Sequence, residues 1–515
     1  MSAGLISATT DDGDRINLKA TPEGHLETAI HAPRLPFGAV HTENLQPIFQ
    51  SDAVYLISSG QQNTSVSGSG SVDVNDSSFR IQTGTTIYSQ ASIQSRKRLR
   101  YRPGQGVVGR FTALFTTPVA ASYQVVGFGH AEDGIFVGYK NTDFGILYSV
   151  RGKREVRTLT ITTKSSHAEN AVVTLNGTAF NVPVTNGAST TVTANEIAAY
   201  ASYTGWKVEA VGATVVFIND AVGLKSGSFS ISGTSVVGSF AQSSAGQAAT
   251  ETFIKQTEWN GDRLDGNGGS GFTLDPTKYN VFQTKIQYLG AGAIVFECEI
   301  APDGNNPDFV VMHSIPLPNT LTATSFGNPS FPFTMAVYSA GSTTNLTVKS
   351  GSYAGFLEGQ ITLHGLRFSY FNQLTSVGAS NYQALFSIKN TRYFKGRTNQ
   401  SVIKLLSIAG AIKHTSPVIF YLIKGGTLAG TPNWAFYDTE SCSLFDNAAT
   451  TVTFSTNSQL VWSGHLGDTG EMDHHFNGGT EDVDLQPGEW ITLAAKATTG
   501  TPAYVTGSIN TREDK

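Results

Sequence analysis

The sequence predicts an all-β, multidomain chain of β-sandwich or jelly-roll type that carries one small inserted ββαββ domain. Short β-branched or aromatic runs recur at close intervals between Gly, Asp and Asn, the pattern of strands joined by turns. Only one stretch combines a helix-start with a helix-stop signal. At 515 residues the chain also exceeds what one compact core organises, so several domains are expected.

Residues 1–75 read as an extended N-terminal arm and connector. The first fifty mix charge, proline and isolated apolar residues without a period, and Ser58 to Ser78 is a Ser/Gly/Asn/Val connector or a loose strand pair. Residues 76–156 read as the first part of a sandwich, with strands at Gly109 to Thr116, Tyr123 to Gly129, Gly134 to Tyr139 and Phe144 to Val150. Residues 157–250 form the insert. There, Asn176-Gly177 suits the type I′ turn of a hairpin spanning Val172 to Val184. Thr193-Ala194-Asn195-Glu196 matches a capping box for a helix that stops at Gly205, and Gly212 turns a second hairpin, Trp206 to Ala210 with Thr214 to Ile218. Residues 251–395 resume the sandwich, and residues 396–515 read as a C-terminal sandwich in which Pro487-Gly488 is placed for a type II turn.

Charged residues make up 14 % of the chain, against roughly 25 % in an ordinary domain. The polar surface is therefore mostly Ser, Thr, Asn and Gly, and it repels neighbours weakly. A net charge of −5 argues against a chain that coats nucleic acid or an anionic bilayer. No run approaches the ~20 apolar residues of a membrane helix and the start lacks signal-peptide character, so cytoplasmic synthesis without membrane insertion is expected. Cys298 and Cys442 are far apart and are expected to be buried free thiols.

Several blocks resemble a widespread group of virion structural proteins from tailed phages and large DNA viruses. They are Gly24-His25-Leu26-Glu27 with Pro33-Arg34-Leu35-Pro36-Phe37-Gly38; Ser95-Arg96-Lys97-Arg98-Leu99-Arg100-Tyr101-Arg102-Pro103-Gly104-Gln105-Gly106; Gly127-Phe128-Gly129-His130; Trp259-Asn260-Gly261-Asp262; and Asn510-Thr511-Arg512-Glu513-Asp514. The insert is similar to small β-rich modules of phage tail and fibre proteins. The resemblance implies a particle component on the capsid or tail exterior and attaches no catalytic motif to it.

The basic run is the leading candidate for binding. On a strand, Arg96, Arg98, Arg100 and Arg102 share one face and Leu99 and Tyr101 the other. Such a ribbon of guanidiniums fits carboxylates of the same chain or a neighbouring subunit best, then an acidic surface ligand, and nucleic acid least. His465, His474 and His475 with Asp468, Glu471 and Asp473 are the densest candidate metal ligands, but their spacing matches no metal motif and a solvated polar loop is the simpler reading. The acidic, Gly-rich stretch at Asn260, Asp262 and Asp265 lacks the ligand that completes an EF-hand and reads as a turn. Trp434, Tyr437, Trp462 and Trp490 suit a sandwich core better than a sugar platform. No nucleophile elbow, zinc-protease or phosphate-loop sequence occurs.

The expectation is a non-enzymatic virion protein without cofactor or metal. It would assemble with itself, as a homotrimer, and with other virion proteins, and would attach to a host-surface glycan or receptor. The rival expectations are a capsid decoration or cement protein without host ligand and a glycan-degrading tail spike.

Overall fold

A computed structural model describes residues 7–9, 15–17, 45–301, 307–359, 365–413, 416–456, 458–467, 470–476 and 483–514. The protein is all-β and built from antiparallel sheets packed as sandwiches. Most of the expected arm, residues 1–44, lies outside the described residues apart from a short ribbon, Ser7–Thr9 with Arg15–Asn17.

Two large sheets make the first sandwich. One has seven strands, in the order Thr250–Lys255, Asp143–Val150, Gly134–Lys140, Ser122–Gly129, Ser330–Ser339, Gln90–Arg100 and Gln62–Ser67. The other has nine and is centred on Val107–Phe115, which pairs with Asn280–Ile286 on one side and with Thr347–Ser350 and Ser352–Glu358 on the other. Alternating inward residues of both sheets meet in a phenylalanine-rich core, where the Phe111 ring lies 5.8 Å from Phe128 and 6.1 Å from Phe333. Residues 45–75, read with the arm, are strands of these sheets: Leu45–Asp52 pairs with Ser352–Glu358, Gln62–Ser67 with Gln90–Arg100, and Ser71–Asn75 with Ser78–Gln82. Their sparse side chains hide a role supplied by backbone pairing.

The chain leaves the first sandwich after Val150 and returns at Thr250, two residues that pair directly across neighbouring strands. Between them, a four-stranded sheet (Trp206–Val211, Thr214–Val222, Arg154–Thr163, Val237–Ser244) and a three-stranded sheet (Thr178–Val184, Glu169–Leu175, Ser230–Ser232) enclose their own apolar core with one helix, Thr190–Ala199. Asn176 and Gly177 both have positive φ, 52° and 84°, as a type I′ turn requires. The helix is shifted from its expected position. Ser189 is the N-cap and accepts a bond from Val192 N at 3.3 Å, whereas Thr193 accepts from Ser165 N and Glu196 from Thr185 N. Ser230–Ser232 and Val237–Ser244 extend the ββαββ pattern; their Ser/Gly-rich sequence gives little strand signal.

The C-terminal sandwich begins earlier than residue 396. Arg367–Val377 pairs with Ala503–Asp514, and Gln383–Asn390 pairs with Trp490–Ala497, so both belong to its five- and eight-stranded sheets around a third core. A run of strands with similar patterning carries no local mark of which sheet each one joins.

Phe111 is almost fully buried, at 2 % exposure, between Phe128, Phe282 and Phe333. Phe111→Ala is expected to lower unfolding free energy by about 3–5 kcal/mol, read as a lower denaturant midpoint.

Candidate binding site: an arginine strand at a three-way joint

Strand Gln90–Arg100 runs between Ser330–Ser339 and Gln62–Ser67, but the latter ends opposite Ser95. Beyond that point only Arg96 N reaches it, donating to Gln61 O at 2.8 Å. Pro332, which has no N–H to donate, sits opposite Arg98 at a register shift, and Phe333 N donates instead to Ser95 Oγ at 2.9 Å. Leu99 stays in the core.

The guanidiniums are thereby turned toward the C-terminal sandwich. Arg96 Nη1 lies 2.7 Å from Glu489 Oε1, Arg102 Nη2 lies 3.0 Å from Asp514 Oδ2, and Arg100 donates to Asp514 O at 2.8 Å and to Gln400 O. Arg98 differs: its Nε and Nη1 are buried without a hydrogen-bond partner, and burial, with Arg100 nearby, pulls its pKa down to about 9. The side chains of Arg96, Arg100 and Arg102 thus engage other parts of their own chain.

The insert joins the same region. Glu209, on Trp206–Val211, is almost fully buried and sits 2.9 Å from Lys389 Nζ, while accepting from Thr391 Oγ1 at 2.7 Å and Arg392 N at 2.9 Å. Burial alone would raise its pKa, but Lys389 and Arg392 hold it below the ordinary carboxylate value. Gly212 N donates to Trp434 O and Tyr393 Oη to Ser243 O, each at 2.8 Å. Glu132 of the first sandwich meets Arg154 Nε at 3.4 Å and Thr398 Oγ1 at 2.8 Å, and burial raises its pKa. The type II turn at Pro487-Gly488 belongs here too: Gly488 has φ +90°, and a Cβ there would fall 2.2 Å from the Arg392 guanidinium carbon. Three blocks of the resemblance, Ser95 to Gly106, Gly127 to His130 and Asn510 to Asp514, converge on this joint.

The other candidates are engaged in local structure. His474 stacks on Trp462 at 5.4 Å and His475 Nε2 lies 3.1 Å from Asp473 Oδ2; Asp468 lies outside the described residues, and among those described no three metal-ligating side chains come together. Asp262 accepts from Leu264 N at 2.9 Å and Ser270 N at 2.7 Å, and Asp265 from Asn267 N at 2.9 Å, so each caps its own turn. Trp434 is buried under Lys389, Trp490 donates to Gly426 O at 3.0 Å, and Tyr437 packs 4.5 Å from Tyr370 while remaining 44 % exposed. Cys298 and Cys442 are both buried free thiols, and burial pushes the Cys298 thiol up to about 12.

Removing one partner of a buried ion pair leaves the other uncompensated, so Glu209→Ala is expected to cost about 3–5 kcal/mol by chemical denaturation. His130 supplies a pH test. Its Nδ1 accepts from Glu132 N at 3.2 Å, and burial, with Arg98 and Arg154 nearby, holds its pKa well below the ordinary 6.5. The unfolded chain then takes up a proton that the folded chain refuses, so stability falls as pH drops below 6.5, by up to about 1.4 kcal/mol per pH unit. His130→Asn, which keeps an acceptor, is expected to flatten the decline between pH 6.5 and 5 in denaturation curves.

No family model matches the chain, and no curated protein matches it. Among solved structures, the N-terminal tandem of CBM22 domains from Paenibacillus barcinonensis Xyn10C aligns at 8 % identity over 92 % of this chain and 99 % of that one, with a TM-score of 0.19. The structure of infectious bursal disease virus Gx strain aligns at 11 % identity over 80 % of this chain and 74 % of that one, with a TM-score of 0.17. T=1 particles derived from infectious bursal virus give 9 % identity, coverages of 81 % and 80 %, and a TM-score of 0.11.

Proposed function

We propose that the chain is a non-enzymatic structural component of a virus particle, on the exterior of the capsid or tail, where it associates with its own copies and with other virion proteins and serves host attachment. The observation that carries the reading is the distribution of charge. Several ion pairs tie the internal joint together, whereas two outermost strands are almost free of charge. Among the described residues Arg367–Val377 is the outermost strand of its sheet and pairs only with Ala503–Asp514; it carries no charge after Arg367, and Phe371 on it is 57 % exposed. Gln62–Ser67 is likewise outermost, uncharged and exposed from Asn63 onward. Edges of monomeric proteins usually carry lysine, proline or a bulge; neither strand has lysine or proline, and the irregularity between Leu374 and Val377 leaves Arg367 to Leu374 in regular register. Uncharged edges favour side-by-side copies, and repeated copies turn weak surface contacts into avid attachment. The resemblance of the quoted sequence blocks to virion structural proteins points the same way.

A homotrimer is the proposed state. Mass measurement in solution is expected to return the trimer, and Phe371→Lys to reduce the mass without lowering the melting temperature; a stable monomer at micromolar concentration would overturn the proposal. Particles lacking the protein are expected to stay intact and fail to adsorb, whereas loss of particle stability with normal adsorption would favour a cement role.

A further inference from the structure

A groove of about 510 Å³ opens on the outer face of the nine-stranded sheet, where Val107–Phe115, Ser352–Glu358 and Leu45–Asp52 run side by side. Arg110 lies in it, on the face opposite the buried Phe111. Its guanidinium carbon sits 5.1 Å from the centre of the Phe309 ring and 5.7 Å from that of Phe356. Arg110 Nε donates to Gln283 Oε1, Gln283 Nε2 donates to Glu297 Oε2, and Glu297 Oε1 is held by Lys285 Nζ at 2.8 Å. The acid at the end of this chain is therefore already paired. Among the described residues no carboxylate forms an ion pair with Arg110, and its two terminal nitrogens hydrogen-bond to none of them.

This guanidinium differs from those of the joint. Two rings and an amide oxygen fix its plane, no carboxylate among the described residues pairs with it, and it faces a cavity within the ~300–1,000 Å³ range of small-molecule sites. The surrounding walls are rich in neutral hydrogen-bonding groups: Gln50, Gln61, Thr112 and Ser352, with Asp52 as the one acid. Amides and hydroxyls of this kind match the alternating donors and acceptors of sugar hydroxyls, and a fixed guanidinium matches a carboxylate through two parallel hydrogen bonds. Asp52 in the same groove repels a dense polyanion, which disfavours nucleic acid and heavily sulfated chains and favours a ligand with a single carboxylate.

We infer that the Arg110 groove binds a carboxylate-bearing saccharide, with Arg110 on the carboxylate and Gln50, Asp52 and Gln61 on the hydroxyls. The inference deepens and rests on the attachment reading, by naming the class of surface ligand. It fails independently, because the groove lies within one copy of the chain.

The test is titration of the full chain, by ligand-detected NMR or calorimetry, with glucuronic acid, galacturonic acid and N-acetylneuraminic acid, each beside its methyl ester. At least one acid is expected to bind with a Kd on the order of 1 mM, and its ester at least about tenfold more weakly. Arg110→Gln is expected to reproduce the loss, and Gln50→Ala, at an exposed position, to weaken binding severalfold. Equal binding of acid and ester, no binding by any of the three acids, or full affinity in a folded Arg110→Gln variant would overturn the assignment. If Arg110→Gln does not fold, Gln50→Ala and Asp52→Asn decide: weaker binding in both supports the groove, and unchanged binding in both overturns it. Absent sugar binding with trimer and adsorption intact sinks this assignment alone, while a sugar-binding monomer sinks the assembly proposal alone.

Discussion

A guanidinium or carboxylate taken out of water is costly without a partner, and in this protein the pairs that offset this cost lie between three packed cores. Apolar packing builds each core separately. Between them lies the joint, where Arg96 meets Glu489, Arg102 meets Asp514, Glu209 meets Lys389 and Glu132 meets Arg154. Such pairs add little net stability compared with well-packed apolar residues, but they are intolerant of misalignment, because each wrong pairing strands a charge. The joint therefore acts mainly as a specifier of arrangement.

Much of the fold was legible from local chemistry. Asn176-Gly177, Gly212 and Pro487-Gly488 are turns because their backbones need conformations that these residues allow, and the flanking strands appear where the turns place them. Local signals failed where a competing residue or a distant partner decides. Ser189 displaced the expected cap because Thr193 and Glu196 bond to Ser165 and Thr185, contacts formed only once the insert has folded. Val237–Ser244 has few β-branched residues and exists as a strand because Arg154–Thr163 offers it an edge.

The site was half legible. Alternation places Arg96, Arg98 and Arg100 on one face of the strand with Leu99 opposite, whereas Arg102 lies beyond the strand's end at Arg100; the preference of guanidiniums for carboxylates follows from their geometry. Which carboxylates could not be read, since Arg96 and Glu489 are 393 positions apart and Arg102 and Asp514 are 412. Arg110 gave no signal: it is a single basic residue in a strand, and its importance comes from Phe309, Phe356 and Gln283, which arrive from other strands.

The pairing of Val150 with Thr250 brings the two ends of the insert together on adjacent strands of the first sandwich. Topologically, the insert is a detachable module: closing the gap with a short turn would leave the parent sheet continuous. Glu209 removes that freedom. By reaching Lys389, Thr391 and Arg392 it makes the module a keystone between its host and the next sandwich. Such a piece is easy to acquire in evolution and hard to discard afterwards, because its loss would strand cations in a neighbour to which it is not joined.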